Sequence, residues 1–172
     1  MTNMATSLIS IVEYLASNYE PDRDYIDGVL EERNLGEYDQ GRLQLVLGSW
    51  FLRHEHEWNL RAVVEQRIQV CATRFRVADV ALLDRARPVE QILTHPPLIV
   101  IEVLSPRDTW RRMEERIADY LNFGIPNVWV LDPGSHRAWS ITLEGRRELT
   151  DRLKVADSPV AIPLEELFQE LE

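Results

Sequence analysis

The sequence predicts an α+β fold: a mixed central sheet flanked by helices, with an N-terminal hairpin and extra C-terminal strands. Three observations predict it. Hydrophobic patterns follow in the order helix, strand, strand, strand, helix, strand. Short links join the first three strands, which makes them an antiparallel meander. A helix joins the third strand to the fourth, which makes those two parallel with a right-handed crossover. At 172 residues and 45% apolar, the chain has enough material for a real core and is expected to form one domain over 1–172, its core at about 39–132.

The elements follow in chain order. Residues 7–19 place Ile11, Tyr14 and Leu15 at helical spacing. Glu20-Pro21-Asp22-Arg23 breaks that helix, and Asp27-Gly28 between apolar pairs predicts a tight hairpin. Over 39–56, Leu43, Val46, Leu47, Trp50 and Phe51 recur as one apolar stripe, with Asp39 as the expected cap. Strand-like runs follow at about 60–70, 74–84 and 97–104, the last ended by Ser105-Pro106. The next helix, 107–123, buries Trp110, Met113, Ile117, Tyr120 and Leu121, and Gly124 and Pro126 mark its end. A buried strand over 127–132 precedes a strand at 137–143, a hairpin into 146–150 and a short acidic helix around Leu164–Leu167.

Composition narrows the function classes. The net charge is -10, and Lys154 is the only lysine among the basic residues. Such a chain does not attract nucleic acid non-specifically, so a role on DNA needs a local basic patch or a partner. Arg107, Arg111, Arg112 and Arg116 form the clearest basic cluster, diluted by Asp108, Glu114 and Glu115; a salt-bridged helix face fits it as well as a phosphate track does. Nothing is long and apolar enough to span a membrane, and no secretory signal is visible. The lone Cys71 is read as a small strand-end residue, and a cytoplasmic location is expected.

Two acids carry the chemistry. Asp79 interrupts the run from Arg74 to Leu83, and Glu102 interrupts the run from Pro97 to Leu104. An unpaired carboxylate in a buried sheet is costly. Strict alternation puts Phe75, Val77, Asp79, Ala81 and Leu83 on one face of their strand, and Leu98, Val100, Glu102 and Leu104 on one face of the next. Strands about 4.8 Å apart let two such carboxylates meet around one cation. A hard ion such as Mg²⁺ relieves their repulsion and supplies a water poised near a phosphodiester.

The order of elements and the Asp…Glu pair resemble the PD-(D/E)XK nuclease superfamily, and in particular the Uma family of restriction-endonuclease-like proteins. The stretches that carry the likeness are Tyr25-Ile26-Asp27-Gly28, the segment from Glu32 to Asp39, Glu65-Gln66-Arg67, Arg76-Val77-Ala78-Asp79-Val80, Ile101-Glu102-Val103-Leu104-Ser105-Pro106 and the run from Tyr120 to Pro133. They span about residues 12 to 168 in family order. The resemblance implies a restriction-endonuclease-like fold and a metal-dependent, endonuclease-like phosphodiesterase acting on DNA. It implies one or two Mg²⁺ or Mn²⁺ ions held by Asp79, Glu102 and the Val103 carbonyl. It places Glu32, Gln40 and Gln66 as cleft-lining candidates and suggests a homodimer. The departures are Ala78 before Asp79, Leu104 where the signature has lysine, and Gln40 where relatives often have histidine. Arg116 occupies the place of a lysine on the following helix; arginine can steady charge on a phosphoryl group but does not give up its proton. These changes make a catalytically impaired member, acting as a binding or regulatory protein, the alternative. Hydrolysis of a small phosphorylated substrate is a third reading.

Plainer roles compete at each position. Asp79 could be an acid paired with Arg74 or Arg76, and Glu102 half of a buried Glu–Arg pair. Arg116 could be a solvated helix arginine. Trp50, Trp58, Trp110, Trp129 and Trp139 fall on apolar stripes and are expected in cores, and the four histidines at the surface. Asp132 is expected to shape a turn before Pro133-Gly134.

Overall fold

The structure is a computed structural model and describes residues 7–34 and 36–171. Four helices, α1 (Ile11–Ala16), α2 (Tyr38–His54), α3 (Trp110–Phe123) and α4 (Leu164–Phe168), surround two sheets. The large sheet holds β1 (Arg23–Ile26), β2 (Val29–Glu32), β3 (Leu60–Cys71), β4 (Arg74–Asp84), β5 (Ile99–Val103), β6 (Asn127–Asp132), β7 (Arg137–Thr142) and β8 (Gly145–Leu149). Its order is β2-β1-β4-β5-β6-β7-β8, with β3 along β4. All pairings are antiparallel except β5 with β6, the two strands joined through α3. The mixed sheet and its crossover helix therefore match the expectation. A second sheet of β9 (Arg152–Lys154) and β10 (Ala161–Pro163) was not expected. Its three-residue strands are too short to show a period.

Local chemistry sets the boundaries. Asp27 (φ 51°) and Gly28 (φ 93°) form the β1–β2 turn, the left-handed pair that a two-residue hairpin needs. The cap of α2 lies two residues earlier than expected. Glu37 takes the cap position without a side-chain bond, so Asp39 falls in the first turn, where its charge suits the helix dipole. α3 starts later than expected. Asp108 accepts from the Ser105 N–H (2.8 Å) and donates its own N–H to the Ser105 carbonyl (3.0 Å), closing a turn over 105–108. Thr109 then caps the helix by accepting from the Arg112 N–H. Gly124 (φ 100°) ends it, donating to the Leu121 carbonyl at 3.0 Å. Gly124→Ala is expected to cost about 1 kcal/mol, because an L side chain is strained there. A lowered urea midpoint at unchanged slope would show it.

Two large cores lie on opposite faces of the sheet, and a third, small one joins Tyr14, Tyr25 and Phe75. Leu43, Leu47 and Phe51 of α2 pack on Val80, Leu82, Ile101 and Trp129 together with the C-terminal segment. Met113, Ile117 and Tyr120 of α3 pack on Ala78, Val100, Val128 and Val130. Leu15, at 43% exposure, and the partly covered Trp110 and Leu121 are less buried than their spacing suggested. No described helix is long and apolar enough to cross a membrane.

The strict alternation expected along β4 does not hold. Ala78 belongs to the core under α3, while Val80 and Leu82 belong to the core under α2. β3 changes sides at the same level. Leu60 and Ala62 pack under α2, whereas Ile68 and Val70 pack under α3. Between them Glu65 adopts φ 51°, and the Glu65–Asp79 step is missing from the register, which shifts once more between Gln69 and Cys71. The two strands switch faces together at the level of Asp79.

Candidate functional site

β4 carries the site where its free edge opens into a fork. β3 lines one edge of β4 throughout. On the other edge, β1 pairs only with Arg74 and Phe75, and β5 only with Val80, Ala81 and Leu82. Residues 76–79 therefore have no strand partner on that side, and side chains satisfy their backbone instead. Asp24 of β1 accepts from the Val77 N–H at 2.9 Å, and Arg116 of α3 donates to the Val77 carbonyl at 2.7 Å.

Asp79 sits at the root of the fork. Its Oδ2 accepts from the Val103 N–H at 2.7 Å. Its Oδ1 accepts from Arg33 at 2.6 Å and from Gln44 of α2 at 3.0 Å. Glu102 stands one step past the last paired residues of β4 and β5, on the α3 side. Its Oε1 accepts from the Tyr120 hydroxyl (2.5 Å) and Arg116 (2.8 Å), and its Oε2 from Arg116 (3.0 Å). Both acids are almost sealed, at 1% and 2% exposure. They nonetheless line one cleft with about 50 Å³ of free volume, enough for an ion and a few waters.

The expected residues divide as follows. Asp79, Glu102, Val103, Arg116, Gln40 and Glu32 all line the cleft. Gln66 does not; its amide donates to the Arg67 and Gln91 carbonyls. Asp79 is paired with an arginine, but with Arg33 rather than Arg74 or Arg76. Those two serve Asp27, Asp119, Asp24 and Glu31. Glu102 is half of a buried pair with Arg116, which is neither solvated nor open to a phosphate. Its two terminal nitrogens donate to Asp24 (2.6 Å), Glu102, Tyr120 and the Val77 carbonyl, while its Nε is buried with no partner among the described residues. The arginine cluster of α3 is divided. Arg111 is 90% exposed and reaches Glu115 at 3.7 Å. Arg112 lines the cleft, with no ion-pair partner among the described residues.

Arg33, Gln44, Asp24 and the Tyr120 hydroxyl escaped the sequence reading. Only Asp24 carried a signal, as an acid inside the short run Arg23–Ile26. The others lie on a loop or on helices, where a polar residue is ordinary. Cys71 is a free, exposed residue at the end of β3, as expected. His136 stacks on Phe168, and His54 on Trp58.

Electrostatics follow from burial. Burial, and then the Glu102 carboxylate, push the Asp79 carboxyl from 3.8 up to about 7, against Arg33 and the Val103 N–H. Burial, with Glu102 and Asp24 adding to it, lifts the Tyr120 hydroxyl far above its ordinary value, so it stays a donor. Burial works against the charge on Arg116, but Asp24 and Glu102 outweigh it. Because folding raises the Asp79 value, its stabilising effect is full below 3.8 and lost as pH rises through about 7. Melting curves of metal-free protein are expected to fall over that window, and Asp79→Asn to flatten the fall.

The oxygen set suits a hard cation. A carboxylate has about four lone-pair sites. Asp79 and Glu102 each use three, leaving one on Oδ2 and one on Oε2. The Val103 carbonyl receives a long contact from the Gln40 amide (3.4 Å). The Gln40 side-chain oxygen is buried with no partner, an acceptor facing no donor. No three His, Cys, Asp or Glu side chains among the described residues form a cage unaided. A cation here would therefore rely on backbone and amide oxygens beside the two acids.

Comparisons bear on this arrangement. The family described as "Uma2: Putative restriction endonuclease" matches residues 11–172. Among solved structures, the chain is similar to one titled "Crystal structure of a putative nuclease belonging to DUF820 from Anabaena variabilis ATCC 29413". It shares 20% identity and a TM-score of 0.85, over 95% of this chain and 99% of that one. No curated protein matches.

Proposed function

The chain belongs to the Uma2 family of restriction-endonuclease-like proteins, and from that premise we propose that it is a metal-dependent phosphodiesterase of the endonuclease type acting on DNA. The observation that carries the reading is the fork in β4, where two buried acids from adjacent strands, each with a spare lone pair, meet an orphaned amide oxygen. Asp79, Glu102, the Val103 carbonyl and Gln40 would hold Mg²⁺ or Mn²⁺, one ion or two. When bound, such an ion acidifies a water and offsets charge at the phosphoryl group.

The remaining groups orient and exclude. The Val103 N–H and Gln44 fix the Asp79 carboxylate, and Tyr120 and Arg116 fix Glu102. Arg116 is a positioning residue in this mechanism, because both its terminal nitrogens are engaged within the protein. Arg112, on the cleft lining, is the cation available to a phosphate. No lysine stands at position 104 or 116 to take a proton, so the acceptor would be solvent, a substrate oxygen or one of the cleft carboxylates Glu31, Glu32 and Asp108. We place the protein in the cytoplasm as a homodimer, paired sites suiting a two-stranded substrate.

Incubation of supercoiled plasmid with the protein in Mg²⁺ or Mn²⁺, against a chelator control, tests this. Metal-dependent nicking is expected; its absence on duplex, single-stranded and RNA substrates would sink the reading. One observation favours the alternative of a catalytically impaired binding or regulatory protein: both acids are already neutralised by arginines. That alternative expects nucleic-acid or protein binding without cleavage.

A further inference from the structure

We propose that Arg33 is a resident counter-cation of the acid cleft: its guanidinium neutralises Asp79 while no divalent ion is bound and gives way when one enters. This rests on reading the cleft as a divalent-cation site. Loading is then an exchange of one cation for another, not the filling of a ready cavity.

Charge points this way. Arg33 is the direct counter-charge of Asp79, whereas Arg116 is shared between Glu102 and Asp24. A divalent ion on Asp79 beside Arg33 would crowd two cations onto one carboxylate in a nearly sealed place, and like charges so buried are costly.

The two arginines differ in how they are held. Arg116 lies within α3 and bonds to Asp24 of β1, Val77 of β4, Glu102 of β5 and Tyr120, so moving it would strand several buried groups. Arg33 follows β2 and, among the described residues, bonds to two acids, Asp79 and Glu65. The Glu65 side chain is 44% exposed. Released from Asp79, Arg33 keeps a partner at the cleft rim and strands no donor. The positive φ at Glu65 turns that carboxylate toward Arg33 and Gln44. The face switch in β3 thereby builds the second berth.

Mn²⁺ titration by calorimetry on wild type, Arg33→Met, Arg33→Gln and Asp79→Asn, with melting curves alongside, tests the exchange. Arg33→Met and Arg33→Gln are expected to bind Mn²⁺ about tenfold more tightly than wild type. A variant that folds only when Mn²⁺ is added supports the exchange equally. Unchanged or weaker affinity in both, at wild-type melting temperature, overturns the role of Arg33 while the cation site stands. If no variant and no wild type binds Mn²⁺, or if Asp79→Asn binds as wild type does, the site itself is overturned and the exchange with it.

Discussion

Asp79→Asn is expected to abolish Mn²⁺ binding and plasmid nicking together while the fold persists. The amide keeps the shape of the carboxyl and can still accept from the Val103 N–H, while its NH₂ then faces Arg33 and Gln44, both of which have Glu65 as a second acceptor. Arg33 keeps Glu65. The loss should therefore lie in charge, not in structure: the site surrenders one of the two anions that make a hard cation worth desolvating. A fall in nicking of at least about a hundredfold is expected, the scale seen when a preorganised electrostatic group is removed. Glu102→Gln should follow the same pattern, because the one amide oxygen can still accept from Tyr120 and Arg116 as Oε1 does. The measurement is a melting curve, a Mn²⁺ titration and a nicking assay on one preparation. Asp79→Asn protein that melts normally and nicks at the wild-type rate would end the nuclease reading.

Arg116→Ala is expected to be the most destabilising change at the site. It leaves Asp24 at 1% exposure and Glu102 at 2% without a main partner, and frees the Val77 carbonyl inside the fork. Breaking a buried pair from one side costs about 3–5 kcal/mol. Arg76 still holds Asp24, which sets the lower end of that range. Arg116→Lys should recover only part, since a single ammonium cannot span Asp24, Glu102 and Val77 at once. Urea unfolding measures this. A loss below about 1 kcal/mol would mean the arginine is a surface ion pair in energetic terms, and the positioning role assigned to it would fail.

The sequence showed more of the scaffold than of the cleft. Periodicity located α2 and α3 because each buries one stripe, and apolar runs located the strands from β3 to β7. The acids at 79 and 102 were legible because burial makes a charge conspicuous. Their surroundings were not. Asp79 was assigned to a face by simple alternation, but Phe75 to Leu82 are buried on every side, so no polar residue betrays where the strand changes faces. The left-handed residue that marks the change is Glu65, a type with no preference for it. Arg33 and Gln44 reach Asp79 across 46 and 35 positions of sequence, and no local pattern encodes such a meeting. Arg116 was singled out for a reach toward substrate, yet its burial depends on Asp24, which arrives from the N-terminal hairpin. The small β9–β10 sheet was invisible for the simpler reason of length.

The change of faces along β4 leaves one strand with two landlords. Just below residue 79 Ala78 answers to the helix that follows β5; just above it Val80 and Leu82 answer to the helix that precedes β3. The aspartate stands on the seam, so neither half of the interior fixes it alone, and loosening packing on either side tilts the same carboxylate. A fluorinated probe beside that seam would register softening of both halves of the molecule as one signal.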